Sequence, residues 1–232
     1  MPVLTYALED TKVAVITMDD GKANALSDAM IDELGAALVR AEGEANAVVL
    51  AGREGRFCAG FDLKVMMSSP DAAKALLRRG ADLLMKLYGT PLPLIMACTG
   101  HALAGGALVL LTGDVRIGAS GAFRIGLNEV SIGMPVPVLA MELARDRLAP
   151  TELGRATLEA RIYNPDEGKD VGYLDDVVAP NEVLARAKTE AIRLGAYSRF
   201  PYQATKKRLR GKTIAHVLST LDEDMQSIMQ GA

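Results

Sequence analysis

Three short segments of the 232-residue chain combine residues that could do chemistry: Phe57-Cys-Ala-Gly-Phe-Asp-Leu63, Gly100-His-Ala-Leu-Ala-Gly-Gly106 and Ile125-Gly-Leu-Asn-Glu-Val130. Glycine has no Cβ, so a ligand or a reacting oxygen can approach the backbone closely at such turns. Two of them, aimed from different strands, could direct two N–H groups at one oxygen and stabilise negative charge developing on a carbonyl. Losing one such donor costs roughly 3–4 kcal/mol of barrier. Glu129, set among apolar and amide neighbours, could serve as a proton-transfer base. Taken singly, each glycine segment reads more readily as a tight turn or a close helix contact than as an active site, and Glu129 could be a solvated carboxylate. The chemical reading rests on the three occurring together and in this order.

The elements that would position these segments follow from hydrophobic spacing. Val3–Leu8 and Val13–Met18 are β-rich runs joined as a hairpin across Glu9-Asp-Thr-Lys12. Ser27-Asp28 can cap a helix whose apolar residues Met30, Ile31, Leu34, Ala37, Leu38 and Ala41 repeat at helical spacing. Ala47–Ala51 and Leu94–Cys98 are continuous apolar runs, as in strands buried on both faces, and Asp114–Gly118 is a further short strand. A helix is expected over 71–88 and an apolar one from Ala107. Twice a strand feeds a glycine-bearing turn and then a helix, which is α/β logic with backbone amides free at the helix entrances. Beyond Pro135 the pattern predicts helices over 138–147, 151–158, 182–195, 202–210 and 213–229, with short strands near Arg161 and Asp176.

Composition narrows the function classes. Lys and Arg number 26 against 29 Asp and Glu, a net charge of -3, so no basic face is available for nucleic acid. Aromatic residues are only 4% of the chain, so the core is aliphatic, with 11 Met filling gaps. Cys58, Cys98, His101 and His216 are the chain's whole complement of Cys and His, too sparse for a disulfide framework or a dedicated His/Cys metal site. No apolar stretch is long enough to span a membrane, the N-terminus lacks a secretion signal, and the terminal Gln-Gly-Ala is no peroxisomal address. A cytoplasmic protein is expected.

The sequence resembles the crotonase (enoyl-CoA hydratase/isomerase) superfamily. Asn24-Ala-Leu, Phe57–Leu63, Pro93–Gly106, Asp114-Val-Arg and Gly126-Leu-Asn-Glu-Val-Ser-Ile-Gly133 carry the likeness, which covers nearly the whole chain. It implies an α/β fold, a crotonase-type spiral of ββα turns over residues 1–195, with a helical C-terminal trimerisation region over 196–232. It implies acyl-CoA thioesters as substrates, no separate cofactor, and a homotrimer or dimer of trimers. The chain stops at Ala232, where relatives usually continue through a further helix.

Carried over by position, the two oxyanion donors are the backbone N–H groups of Phe61 and Gly105. Only the N–H is needed, so Phe in place of a small residue does not forbid the role. Asp62 is better suited to capping the next helix, because a carboxylate aimed at the oxyanion would oppose catalysis. The resemblance also assigns Lys22, Ala23, Ala25, Ala59, Asp62, Leu63 and Lys64 to the CoA moiety, and Leu108 and Met66 to the acyl pocket. Hydratases of the family carry one glutamate at the position of Leu108 and another at that of Glu129. Leucine can neither orient nor deprotonate water, so only Glu129 remains. One base suffices to move a double bond from C3 to C2, by taking a proton from C2 and delivering it to C4. The pattern therefore implies a 3-enoyl-CoA to 2-enoyl-CoA isomerase. A hydratase or other crotonase-type lyase or hydrolase, and a non-catalytic acyl-CoA-binding protein, are the alternatives. The run Lys206–Lys212 reads as a solvated helix face or, secondarily, as a contact to the CoA 3′-phosphate. His101 reads as support or wall, and the two cysteines as inert buried thiols.

Overall fold

A computed structural model describes residues 2–230. In chain order the elements are β1 (Leu4–Leu8), β2 (Val13–Met18), α1 (Asp28–Glu44), β3 (Ala47–Gly52), β4 (Gly55–Cys58), α2 (Leu63–Met66), α3 (Pro70–Gly89), β5 (Leu94–Cys98), β6 (Gly100–Leu103), α4 (Gly105–Leu111), β7 (Val115–Ala119), β8 (Ile125–Gly126), α5 (Val138–Arg147), α6 (Leu153–Thr157), α7 (Pro165–Val171), β9 (Asp176–Val178), α8 (Val183–Gly195) and α9 (Arg199–Gln230). A six-stranded sheet has the order β1-β2-β3-β5-β7-β9, and a three-stranded sheet the order β4-β6-β8. Only β1 pairs antiparallel, with β2; every other pairing is parallel. Three successive turns, those of β3–β4, β5–β6 and β7–β8, thus lay one strand in the large sheet and one in the small sheet before the chain turns helical. That is the ββα spiral.

The uninterrupted apolar runs have a direct cause. On one face of the large sheet Ile16, Val48, Leu50, Leu94 and Met96 pack against α1, α3 and α4. On the other, Val15, Val49, Ile95 and Ile117 meet Val183, Ala187, Ala191 and Leu194 of α8. With both faces covered, no position of β3 or β5 can be polar. Local signals set the helix starts. Ser27 accepts from Met30 N–H at the head of α1, and Ser69, followed by Pro70, accepts from Ala72 N–H at the head of α3.

Four expectations need correction. The helices over 202–210 and 213–229 are one continuous helix, α9. Gly211 lies inside it, and a lone glycine costs only about 1 kcal/mol against Ala, which the packing of Val217, Leu221, Met225 and Ile228 into the main core outweighs. No strand forms near Arg161; Tyr163 makes only an isolated bridge to Ile125. α7 was not anticipated, although Asn164-Pro-Asp-Glu167 forms a full capping box. The glycine segments contain strands, β4 and β6, where only turns were expected.

The basic run also reads differently in three dimensions. Lys207, Arg208 and Lys212 face solvent, but Lys206 and Arg210 are buried. Lys206 Nζ lies 2.6 Å from Asp114 Oδ2 and Arg210 Nη2 2.9 Å from Asp114 Oδ1, with the Tyr202 hydroxyl donating to the same carboxylate at 2.9 Å. Arg210 also donates to the carbonyls of Tyr88 and Thr112, so it caps the ends of α3 and α4. Burial pushes the Lys206 ammonium down to about 8, against the pull of Asp114. Asp114→Ala would strand two buried cations. We expect a loss of about 3–5 kcal/mol, seen as a fall of roughly 10 °C in the thermal unfolding midpoint.

Candidate active site

The site begins with the loop after β2. Asp20 accepts from the N–H groups of Lys22, Asn24 and Ala25, which holds its carboxylate below the usual range despite partial burial. Asn24 is wholly buried at φ +55, and its side-chain amide donates to the carbonyls of Met18, Arg56 and Phe57. It pins this loop across the end of β4. The loop is then zipped to the first glycine turn by Ala59 N–H to Ala23 O at 3.1 Å, Leu26 N–H to Gly60 O at 2.8 Å and Asp62 N–H to Leu26 O at 3.3 Å. Ala23, Ala25 and Ala59, assigned to CoA by resemblance, are thereby gathered in one place.

Gly60 adopts φ +95, and a Cβ there would lie 3.1 Å from Gly105 N. The first turn therefore abuts the second, and the N–H of Phe61 follows directly after. Gly105 opens α4, so its N–H has no intrahelical acceptor. Neither Phe61 N–H nor Gly105 N–H donates to another group among the described residues. Ala104, just before Gly105, sits at φ 49, ψ −124, a conformation that costs a non-glycine residue of order 1–3 kcal/mol. Such strain persists only where surrounding contacts impose it, here a bond from Ala104 N–H to Gly126 O at 3.0 Å. The sequence offered no sign of it.

The Phe61 ring fills the space beside two glycines: a Cβ on Gly80 of α3 would lie 2.2 Å from Phe61 Cε1, and one on Gly105 would lie 3.0 Å from Phe61 Cδ2. Asp62 caps α2, accepting from Lys64 N–H at 2.9 Å, as its position suggested. Leu63 and Lys64 are exposed on that short helix, Met66 is half-buried, and Lys22 is exposed on its loop.

Glu129 follows β8 and starts a 3-10 turn over Val130–Ile132. It is 6% exposed, and its Oε2 is buried with no hydrogen-bond partner among the described residues. Burial raises its carboxyl above the usual range, opposed only by its own backbone N–H. An unpartnered, desolvated carboxylate is a stronger base than a solvated one. Tyr173, which sequence reasoning missed, lies close enough for the Glu129 charge to add to the burial that keeps its phenol neutral. Its ring packs on Tyr163 with centroids 5.7 Å apart. Leu108 of α4 is 2% exposed within the apolar core. Cys58 and Cys98 are buried and pushed up to about 12, which removes their nucleophilicity.

Two cavities stand out, and one of them borders the site. One of about 580 Å³ is lined by Asp114, Arg147, Tyr202, Lys206 and Arg210 among others, and takes nothing from the glycine turns. The other, about 310 Å³, is lined by Ala23, Arg56, Ala59, His101, Leu103 and Arg124, directly beside the paired turns.

The enoyl-CoA hydratase/isomerase family model matches residues 9–229. The chain belongs to that family. Its fold is the crotonase fold of the family's solved members. It is 29% identical over 222 residues to the mitochondrial enoyl-CoA delta isomerase 1 of Homo sapiens, an alignment covering 94% of this chain and 74% of that protein. It is 44% identical over 123 residues, about half of each chain, to a protein of Rhodobacter capsulatus named a probable enoyl-CoA hydratase. An apo structure of a Mycobacterium tuberculosis protein, described as an enoyl-CoA isomerase there and as a probable enoyl-CoA hydratase in a second structure, superimposes with a TM-score of 0.91 at 36% identity, covering 95% of this chain and 96% of that one. No described helix is long and apolar enough to cross a membrane.

Proposed function

We propose that this family member is a 3-enoyl-CoA to 2-enoyl-CoA isomerase. The observation that carries the reading is the pairing of a buried, unpartnered Glu129 carboxylate with an apolar Leu108 in α4. Glu129 takes the proton from C2 of the 3-enoyl thioester. The electron pair moves through the C1–C2 bond onto the thioester oxygen, where the Phe61 and Gly105 N–H groups receive it. The enolate then collapses with the double bond at C2, and C4 takes the same proton back from Glu129. No atom is gained or lost. Leu108 keeps water from the dienolate, which limits hydration.

In this reading Ala23, Ala25, Ala59 and the exposed Lys22 and Lys64 serve the CoA moiety, and Met66 lines the acyl pocket with Leu108. We include in the proposal assembly as a homotrimer. Phe200 and Leu209 on α9, with Tyr197 just before it, offer exposed apolar surface, and sedimentation velocity tests the point.

Separate incubations with a 3-enoyl-CoA and a 2-enoyl-CoA test the activity. Isomerisation of the first with little hydration of the second is expected. Rapid hydration of the second would reject the reading, and binding without turnover of either would point to the non-catalytic alternative. Leu108→Glu should supply the second carboxylate that hydratases of the family carry and give weak hydration of 2-enoyl-CoA, detectable as loss of the conjugated-thioester absorbance. Stability should fall by about 1–3 kcal/mol, because the new carboxylate is buried.

A further inference from the structure

Three of the chain's six tyrosines give their hydroxyl to a carboxylate: Tyr6 to Glu44 at 2.8 Å, Tyr88 to Asp146 at 2.8 Å and Tyr202 to Asp114 at 2.9 Å. Tyr163 and Tyr173 are buried more deeply, at 1% and 0% exposed, yet neither hydroxyl has a partner among the described residues. A buried donor left without an acceptor is costly. Two buried carboxylate oxygens are equally without a partner, Glu129 Oε2 and Glu152 Oε2, and Asn128 Oδ1 is a neutral third acceptor.

β8 and α7 bring the tyrosines to the base. Tyr163 exchanges two backbone hydrogen bonds with Ile125 of β8, both at 2.9 Å, and Glu129 follows Ile125 four residues later. α7 then carries the chain round to Tyr173, whose N–H donates to Gly168 O at 2.7 Å. Gly168 stands between the two segments, its Cβ position 3.6 Å from Ile125 Cδ1 and 3.8 Å from Tyr173 Cβ. The rings of Tyr163 and Tyr173 pack with centroids 5.7 Å apart. No full hydrogen bond reaches Tyr173 Oη, but the Leu127 N–H, two residues before Glu129, is near enough to act on it.

The surrounding charges sort these groups into two hydroxyl–carboxylate pairs. After burial, Tyr163 responds first to Glu152, then to Arg161, Arg155 and Glu159. After burial, Tyr173 responds to Tyr163 and then to Glu129, and all three influences keep its phenol neutral. Glu129 itself is governed by burial, opposed by its own backbone N–H. A neutral phenol keeps its donor at physiological pH, and its hydrogen turns about the C–O bond to suit an acceptor.

We infer that Tyr173 is the positioning residue for Glu129: its hydroxyl donates to Glu129 Oε2 and leaves Oε1 to carry the proton between C2 and C4. This deepens the isomerase reading above and rests on it. A carboxylate free to swing offers either oxygen to either carbon, whereas one held by a donor presents a single oxygen in a fixed orientation. The donor also favours the ionised form, against the burial that opposes it. The bond tightens further with substrate in place, as catalytic hydrogen bonds commonly do. Tyr163 contributes its ring, which supports Tyr173, and not its hydroxyl.

Steady-state kinetics against pH on a 3-enoyl-CoA, together with thermal unfolding of the same proteins, tests the proposal. Tyr173→Phe keeps the ring and removes the donor. Its kcat should fall by about 5- to 30-fold with KM within twofold. The acid limb of kcat should move up by about half to one pH unit. Tyr163→Phe should leave that limb in place. The unfolding measurement needs no substrate. Near neutral pH, Glu129→Gln should raise the midpoint by about 2 °C more in Tyr173→Phe than in wild type, because the ionised carboxylate there has lost its donor. An unmoved limb in Tyr173→Phe would overturn the proposal, as expected if the hydroxyl serves the neutral Asn128 Oδ1 instead. An equal move of the limb in Tyr163→Phe, or additive midpoints, would overturn it as well. Wild-type protein that shows the unfolding coupling but does not isomerise a 3-enoyl-CoA would fail the isomerase reading and leave the Tyr173–Glu129 pair standing.

Discussion

Glu129→Gln should abolish most of the isomerase activity, with kcat falling by about 10²- to 10⁴-fold. The substitution preserves shape and removes only the base, so CoA affinity should be unchanged. Activity requires the ionised carboxylate, and burial raises its pKa. The wild-type rate should therefore decline, as pH falls, above the ordinary carboxylate range, and the residual rate of Glu129→Gln should lack that limb. Stability carries the opposite sign. A carboxyl whose pKa is higher in the folded state than in the unfolded one binds its proton more tightly when folded. The ionised form then costs stability at all pH above the folded value, and the cost disappears below the unfolded value. Glu129→Gln should consequently be more stable than wild type near neutral pH, by about 1 kcal/mol or a few degrees in the unfolding midpoint. The gap should close as pH falls through the raised pKa. Full isomerase activity in the variant would move the base elsewhere. Equal stability across that pH range would contradict the desolvated environment.

Gly60→Ala should cost nearly as much rate without touching a side chain of the site. At φ +95 an L-residue is strained by about 1–2 kcal/mol, and the added methyl would stand 3.1 Å from both Gly105 N and Leu103 O. Those neighbours are backbone, so the two turns must part, and the Phe61 and Gly105 N–H groups lose their common target. A fall in kcat of about 10²- to 10³-fold, with KM little changed, is the expected signature of a lost oxyanion contact. Phe61→Ala is the control. It keeps the N–H and removes the ring from Gly80 and Gly105, so it should alter acyl-chain preference and stability more than kcat on short chains. Wild-type kcat in Gly60→Ala would show that the paired amides are not what holds the enolate.

What the residue pattern determined by itself is the set of contacts governed by nearest neighbours along the chain. Ser27 before α1 and Ser69-Pro70 before α3 are local caps, settled by side chains reaching the first turn's N–H groups. The apolar runs of β3 and β5 declared a sheet covered on both faces, and Glu129 and the two glycine turns were visible as residue types in sequence. The tertiary structure decided everything that depends on partners distant in the chain. β4 and β6 look like loops because glycines weaken their strand signal, and only pairing with each other and β8 makes them a sheet. The fate of the basic run turned on Asp114, more than 90 residues earlier, which buries Lys206 and Arg210 and leaves their neighbours in water. The strain at Ala104 and the wedge of Phe61 between Gly80 and Gly105 are likewise set by long-range contact. So is the gathering of Arg56 of β4, His101 of β6 and Arg124, just before β8, around one cavity. A charge's environment is fixed by what the fold packs beside it, and the residues next to it in sequence carry little of that information.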